Sequence, residues 1–378
     1  MTETHGGSDL GANLTLAKRK ADGWRLYGDH KYFASNAGLA DLALVTARPE
    51  GAPDGPRGIA LFLVPRLDEK GDLNFNVLRL KDKSATRAVP TGEVEFNGSL
   101  AYLVGQAELG IYYTLENLTV SRLANAIGAM GLARKAGFEA SFRTVKRSAF
   151  GKALAEHPLM RYDLTDLEVR NAGGLALIFH AVNSFDQAWK DTPPYSPAYH
   201  YARFLSHLAK NRCAAHAIEA TRLAMEVFGG LGFLEEAPVS RLHRESLVTA
   251  IWEGSSNIQA LDMLEVIQKK GAHEAFLDEF IPLLGSTPTQ ASKKASEAIY
   301  SSLTKLTGMD ARSAQWYGKD LLEKLADAAT VALLYRLAQS SSERLARLAE
   351  LYAARFLDGS PYPDWALNDR SIWQPFND

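Results

Sequence analysis

The feature that most constrains the fold is a change of texture near residue 111. Before it, apolar residues come in short runs punctuated by Pro and Gly. Residues 23–28 alternate between bracketing glycines, 42–47 and 59–64 are short and β-rich, and 93–97 alternate again. Pro53, Pro56 and Pro65 supply turns between them. After residue 111 the prolines and glycines thin out. Leu164, Leu167, Leu175, Ile178 and Val182 keep one helical face, as do Ala217, Thr221, Ala224 and Phe228. Strands first and helices afterwards point to an α+β, mainly α chain, and away from βαβ units. The first section reads as a small barrel or sandwich over 1–108. A helical bundle follows over 109–268, interrupted at 191–197 by Pro193, Pro194 and Pro197. A further helical section occupies 269–378, where Leu321, Leu325, Ala329 and Leu333 are helically spaced. Its tail, 358–378, reads as an irregular packed arm.

Several function classes are disfavoured by composition. The formal charge is -2 over 378 residues, which does not suit a dedicated nucleic-acid binder. In 271–378, 11 Lys and Arg face 14 Asp and Glu, so no basic patch stands out there either. A single cysteine, Cys213, excludes an intramolecular disulfide. No run of 18 apolar residues suggests a spanning helix, and 1–9 are polar without a signal-peptide core. The expectation is a cytoplasmic protein with no membrane insertion. The nine histidines show no metal-ligand spacing, so no metal is assigned.

Chemistry concentrates in 241–264. Ile251-Trp-Glu253-Gly254-Ser255-Ser-Asn257 puts one carboxylate at a break just before a helical run through Ile258, Leu261, Leu264 and Ile267. Gly254 permits a sharp turn, and Ser255 or Ser256 suits an N-cap. A carboxylate beside free helical N–H groups can take a proton next to a carbonyl while those groups hold the oxyanion. The same residues also suit an ordinary capped helix with a surface Glu. Three further motifs accompany it. Thr2-Glu-Thr-His-Gly-Gly-Ser8-Asp9 lets backbone and hydroxyl donors approach a polar ring or phosphate. Arg147-Ser-Ala-Phe150-Gly pairs a guanidinium with an aromatic one helical turn later. Glu226-Val-Phe-Gly229-Gly230-Leu-Gly-Phe is Gly-rich but lacks the dinucleotide-binding spacing and follows no strand.

Taken in order, these motifs resemble the acyl-CoA dehydrogenase family of flavoproteins, from residue 1 to about 267. The variants at 3–9, 226–230 and 251–257 look most like its alkylation-response (AidB-type) branch. The resemblance implies a β-barrel middle domain over 1–108, an antiparallel helical bundle over 109–268 and an extra C-terminal helical domain over 269–378. It implies FAD as cofactor, contacted by Thr2, Ser8, Phe33, Ser35, Ser255 and Asn257. Arg147, Phe150, Gly229 and Gly230 would reach the FAD of a neighbouring subunit, in a homodimer or homotetramer. Glu253 would be the base, with Ser8, Arg122 and Gly254 on the acyl-CoA substrate. An electron-transfer flavoprotein or similar acceptor would take the electrons, in the setting of fatty acid metabolism. Phe33 stands where the family usually has Trp, Asn257 where it has Gln or Glu, and Glu226 where it has Gln. Glu226 would therefore turn away from a pyrophosphate or pair with an Arg. A helical N-terminal domain usually precedes the motif that here begins at Met1, so this chain is expected to retain flavin weakly. The alternative is an alkylation-response flavoprotein with weak dehydrogenase activity and a DNA-binding or protective role.

Overall fold

The computed structural model describes residues 1–340 and 342–374. Two compact units divide it, Met1–Val120 and Ser121–Asp378.

The first unit is built on six strands: β1 (Leu16–Lys20), β2 (Gly23–Ser35), β3 (Leu42–Pro49), β4 (Ala60–Pro65), β5 (Asn76–Leu80) and β6 (Thr91–Leu103). The order is β2-β1-β3-β4-β6-β5, and a further β2–β6 pairing closes the first five into a barrel. Only β1 with β3 runs parallel (Leu16 opposite Arg48); the rest are antiparallel. Closure depends on β2 and β6, each 13 residues long. Register shifts between Leu26 and Ala34 bend β2 around the curve. Inward residues alternate along the strands, and Leu26, Val45, Phe62, Val64, Val94 and Phe96 fill the interior. The barrel replaces the open choice between barrel and sandwich.

The second unit is helical. Helix α1 (Gly110–Lys146) leads into a hairpin of β7 (Ser148–Ala149) and β8 (Lys152–Ala153). Then come α2 (Pro158–Ala188), α3 (Pro197–Phe228), α4 (Pro238–Thr249) and α5 (Ser256–Lys270). Helices α6 (Ala272–Gly285), α7 (Gln290–Thr307), α8 (Ala311–Ser340), α9 (Glu343–Phe356) and α10 (Arg370–Trp373) complete it. Local signals set the ends. The Ser196 hydroxyl accepts from the Tyr199 N–H, Pro197 opens α3, and Gly229 at φ +65° stops it. Gly271 ends α5 in the left-handed conformation after Lys269 and Lys270.

The core runs without a break from Leu123 to Trp373, so α6–α9 share it with α2, α3 and α5. Part of the tail lies outside the described residues; within them Ile372 and Trp373 are buried. Buried charges join the late helices to the early ones. Arg212 on α3 meets Asp327 on α8 through two hydrogen bonds of 2.6 and 2.8 Å. The Tyr352 hydroxyl on α9 donates to the same carboxylate at 2.7 Å. Removing one partner of such a buried pair strands the other charge. Arg212→Met is expected to lower unfolding free energy by about 3–5 kcal/mol, measured by urea denaturation at pH 7. A loss below about 1 kcal/mol would show that Asp327 finds another partner.

Candidate active site

Residues 250–255 connect α4 to α5 and carry Glu253. Glu253 sits at φ +59° and Gly254 at φ +98°. A left-handed conformation costs a residue with a β-carbon about 1–2 kcal/mol. The surroundings hold it there. Arg122 on α1, which is 2% exposed, donates from Nε to the Glu253 carbonyl at 2.9 Å. Gln259 on α5 donates from Nε2 to the carbonyls of Glu253 (2.9 Å) and Gly254 (3.0 Å). Lys210 on α3 donates from Nζ to the carbonyls of Gly254 (2.6 Å) and Ala250 (3.2 Å). Asn125 reaches the Thr249 carbonyl at 2.8 Å. Arg122 is itself tied to Asp262 at 2.8 Å, and the Gln259 Oε1 accepts from His207 Nδ1 at 2.9 Å.

The Glu253 side chain is half-buried. Burial pushes its carboxyl above the ordinary carboxylate range, while the positive charges of Arg122 and Lys210 draw it back. Ser255 is the N-cap of α5, yet its hydroxyl makes no capping bond. The first N–H groups of α5 are thus left unsatisfied by the cap. Asn257 is exposed on that first turn. The structure therefore brings Glu253, Gly254, Ser255, Asn257 and Arg122 to one place. It puts Arg122 on the backbone of the turn and on Asp262. Sequence reasoning missed Lys210, Gln259, Asp262 and His207. The available signal was Arg203, His207 and Lys210 at helical spacing on α3, a stripe that reads as a solvated face.

In the barrel unit, Thr2 to Thr4 lie along β2. The Tyr32 N–H donates to the Thr2 carbonyl and the Thr4 N–H to the His30 carbonyl, each at 3.0 Å. A buried ion pair, Lys31 to Glu3 at 2.7 Å, fastens this segment. The Glu3 carboxylate also accepts from the Leu14 N–H and the Thr15 hydroxyl, both at 2.6 Å. Gly6 is needed because a β-carbon there would lie 2.4 Å from the Asp9 carbonyl oxygen. Phe33 is half-exposed beside Tyr32, with the Lys81 ammonium 4.9 Å from its ring centre. Ser35 and Ser8 are exposed. An aromatic face with hydroxyls near it fits the edge of a flavin ring.

Arg147 and Phe150 require a correction. Helix α1 stops at Lys146, and the pair belongs to the β7–β8 hairpin instead of one helical turn. Phe150 (φ +52°) and Gly151 (φ +81°) form its two-residue turn, which needs positive φ at both positions. Phe150 is consequently 96% exposed. The end of α1 meets the end of α3, where the Arg143 guanidinium lies 5.4 Å from the Phe228 ring centre. Gly229 and Gly230 follow directly, both exposed, with nothing within 4 Å of a β-carbon built on either. An open glycine pair directly after Phe228, whose ring lies 5.4 Å from the Arg143 guanidinium, leaves room for a phosphate group. Glu226 pairs with Arg222 at 2.5 Å, which answers the repulsion its charge would cause.

The match with known proteins follows these landmarks. Residues 1–99 match the acyl-CoA dehydrogenase middle domain, and 108–268 match the acyl-CoA dehydrogenase C-terminal domain. Acyl-CoA dehydrogenase family member 11 of Caenorhabditis elegans is 33% identical over 318 residues, 81% of this chain and 51% of that protein. AidB of Escherichia coli K12 is 35% identical over 288 residues, 75% of this chain and 51% of that protein. The crystal structure of C. elegans ACDH-11 in complex with C11-CoA superposes with a TM-score of 0.85 at 29% identity, covering 100% of this chain and 68% of that one. The chain belongs to the acyl-CoA dehydrogenase family, and it spans about half the length of the curated relatives it matches. Among the described residues no helix is long and apolar enough to cross a membrane.

Asp163 on α2 reports on the charge around Glu226. Burial raises its carboxyl to about 6, and the negative charges of Glu226 and Asp166 push the same way. Above pH 6 the group is ionised in both folded and unfolded chains and weakens the fold; near pH 4 the folded group is protonated and the unfolded one only about half ionised, so most of the penalty is gone. Asp163→Asn is expected to raise the melting temperature at pH 7.5 by roughly 1–3 °C and to have a much smaller effect at pH 4, by differential scanning fluorimetry.

Proposed function

We propose that this protein is an FAD-dependent dehydrogenase of acyl-CoA thioesters with Glu253 as the base. The observation that carries the reading is a partly buried carboxylate, fixed in a left-handed turn at the uncapped start of α5. A thioester α-proton is only weakly acidic, so its removal needs a positioned carboxylate of raised basicity. Glu253 takes that proton. The Glu253 N–H, which has no acceptor among the described residues, donates to the thioester oxygen as negative charge develops there. FAD, when bound, accepts the hydride lost from the β-carbon.

In the barrel unit the residues proposed for FAD are Thr2, Ser8, Phe33 and Ser35; in the helical unit they are Ser255 and Asn257. Arg147, Phe150, Gly229 and Gly230 are proposed for the FAD of a second copy of the chain. The exposure of Phe150 supports that assignment. Ser8 and Gly254 are proposed for the thioester, and an electron-transfer flavoprotein or similar acceptor as the redox partner. The C11-CoA bound by the C. elegans neighbour supports an acyl-CoA as substrate class.

The test is visible absorbance of the purified protein before and after anaerobic addition of butyryl-, octanoyl- and palmitoyl-CoA. A flavin band that bleaches with one of them, and persists in Glu253→Gln, is the expected result. The loss in kcat for that variant should be on the order of 100-fold to 10,000-fold. Because the base works ionised, kcat should fall as pH drops through a midpoint above the ordinary carboxylate range. A flavin band that no thioester bleaches would sink the reading in favour of an alkylation-response role, with salt-dependent retention on duplex DNA as the next measurement.

A further inference from the structure

The turn around Glu253 is held by three buried side chains, and they are not equivalent. The Arg122 guanidinium is neutralised by Asp262 at 2.8 Å. Gln259 is uncharged. Lys210 is a buried ammonium whose hydrogen bonds go to the carbonyls of Ala250 and Gly254, and among the described residues no carboxylate lies within ion-pair distance of it. A buried charge without a counter-ion is unfavourable, and an amide side chain could make two such bonds without that penalty. The charge itself therefore calls for a reason, and Glu253 supplies one.

We propose that Lys210 is the positioning residue of the Glu253 base: it clamps the two ends of the 250–254 turn and carries a positive charge that acts on the carboxylate from beyond ion-pair distance. The proposal rests on the reading of Glu253 as the base. Its first half is geometric. Ala250 ends α4, Gly254 precedes α5, and one ammonium ties their carbonyls across the strained residue between them. Its second half is electrostatic. Burial pushes the Lys210 ammonium down to about 8, with Arg122 acting in the same direction and Glu253 opposing. Below that pH the ammonium stays charged, and it opposes the effect of burial on Glu253. The groups facing the pair are Arg122 from α1 and, one contact further out, Asp262 from α5 and Arg203 and His207 from α3. Lys210, with Arg122, thus offsets part of the burial that raises the Glu253 carboxyl, in a site dry enough to make it a useful base.

Three variants separate the two halves. Lys210→Met removes donors and charge, Lys210→Gln keeps a donor without charge, and Lys210→Arg keeps both. The first readout is amide hydrogen exchange over 251–256 in the protein without thioester. Exchange should be at least tenfold faster in Lys210→Met and close to wild type in Lys210→Gln and Lys210→Arg. The second readout is kcat against pH with octanoyl-CoA. The acid limb should move up by half a pH unit or more in both neutral variants and return in Lys210→Arg, with KM changing less than threefold. Unchanged exchange in Lys210→Met overturns the clamp, and an unmoved acid limb overturns the charge role. Should the wild type bleach with no thioester, the base reading fails while the exchange measurement still decides the clamp. If Lys210→Met does not fold, Lys210→Gln against Lys210→Arg decides the charge role alone.

Discussion

Helix α3 carries a burden that organises the whole helical unit. It is buried along most of its length, yet Arg203, His207, Lys210, Arg212 and His216 lie inside the core with its apolar residues. Each needs a partner, because an unpaired buried charge or donor is expensive. Arg203 meets Glu265 on α5 at 3.2 Å, and His207 meets Gln259 on α5 at 2.9 Å. Lys210 meets the turn before α5, Arg212 meets Asp327 on α8, and His216 meets the Tyr352 hydroxyl on α9 at 2.7 Å. Neighbouring helices are thereby fixed in register as well as buried, since apolar contact alone tolerates sliding.

This explains why the last hundred residues do not stand apart. Helices α8 and α9 bring the acid and the hydroxyls that α3 requires, so they enter its core. The same demand reaches the turn that carries Glu253. Arg122 Nε, Gln259 Nε2 and Lys210 Nζ donate to the carbonyls of Ala250, Glu253 and Gly254. Satisfying the core and shaping the turn are one set of hydrogen bonds. A strained residue persists where its surroundings over-determine it, and here they do.

The barrel unit solves a smaller version of the same problem. Glu3 and Lys31 are buried together with the Leu14 N–H and the Thr15 hydroxyl, and that group fixes the segment bearing Thr2 against β2. In the helical unit the candidate residues sit on backbone whose carbonyls are satisfied from underneath, and in the barrel unit the Thr2 and Thr4 backbone is paired with β2. Such support holds a site in place without moving parts.

Local physics alone gave much of this protein from its sequence. The punctuated apolar runs before residue 111 and the helical periods after it set the order of strands and helices, because both signals depend on near neighbours. The Glu253 motif with its flanking glycine and serines marked the sharp turn before α5 for the same reason. Tertiary structure decided what depends on distant residues. Arg203, His207 and Lys210 form a polar stripe that periodicity assigns to solvent; only packing between α1, α4 and α5 shows it to be buried and bonded. The hairpin at Phe150 was hidden because an Arg and a Phe three residues apart suit a helix equally well until strand pairing imposes positive φ. The shared core of α2 to α9 was likewise unreadable, since the Arg212 to Asp327 pair joins residues 115 positions apart.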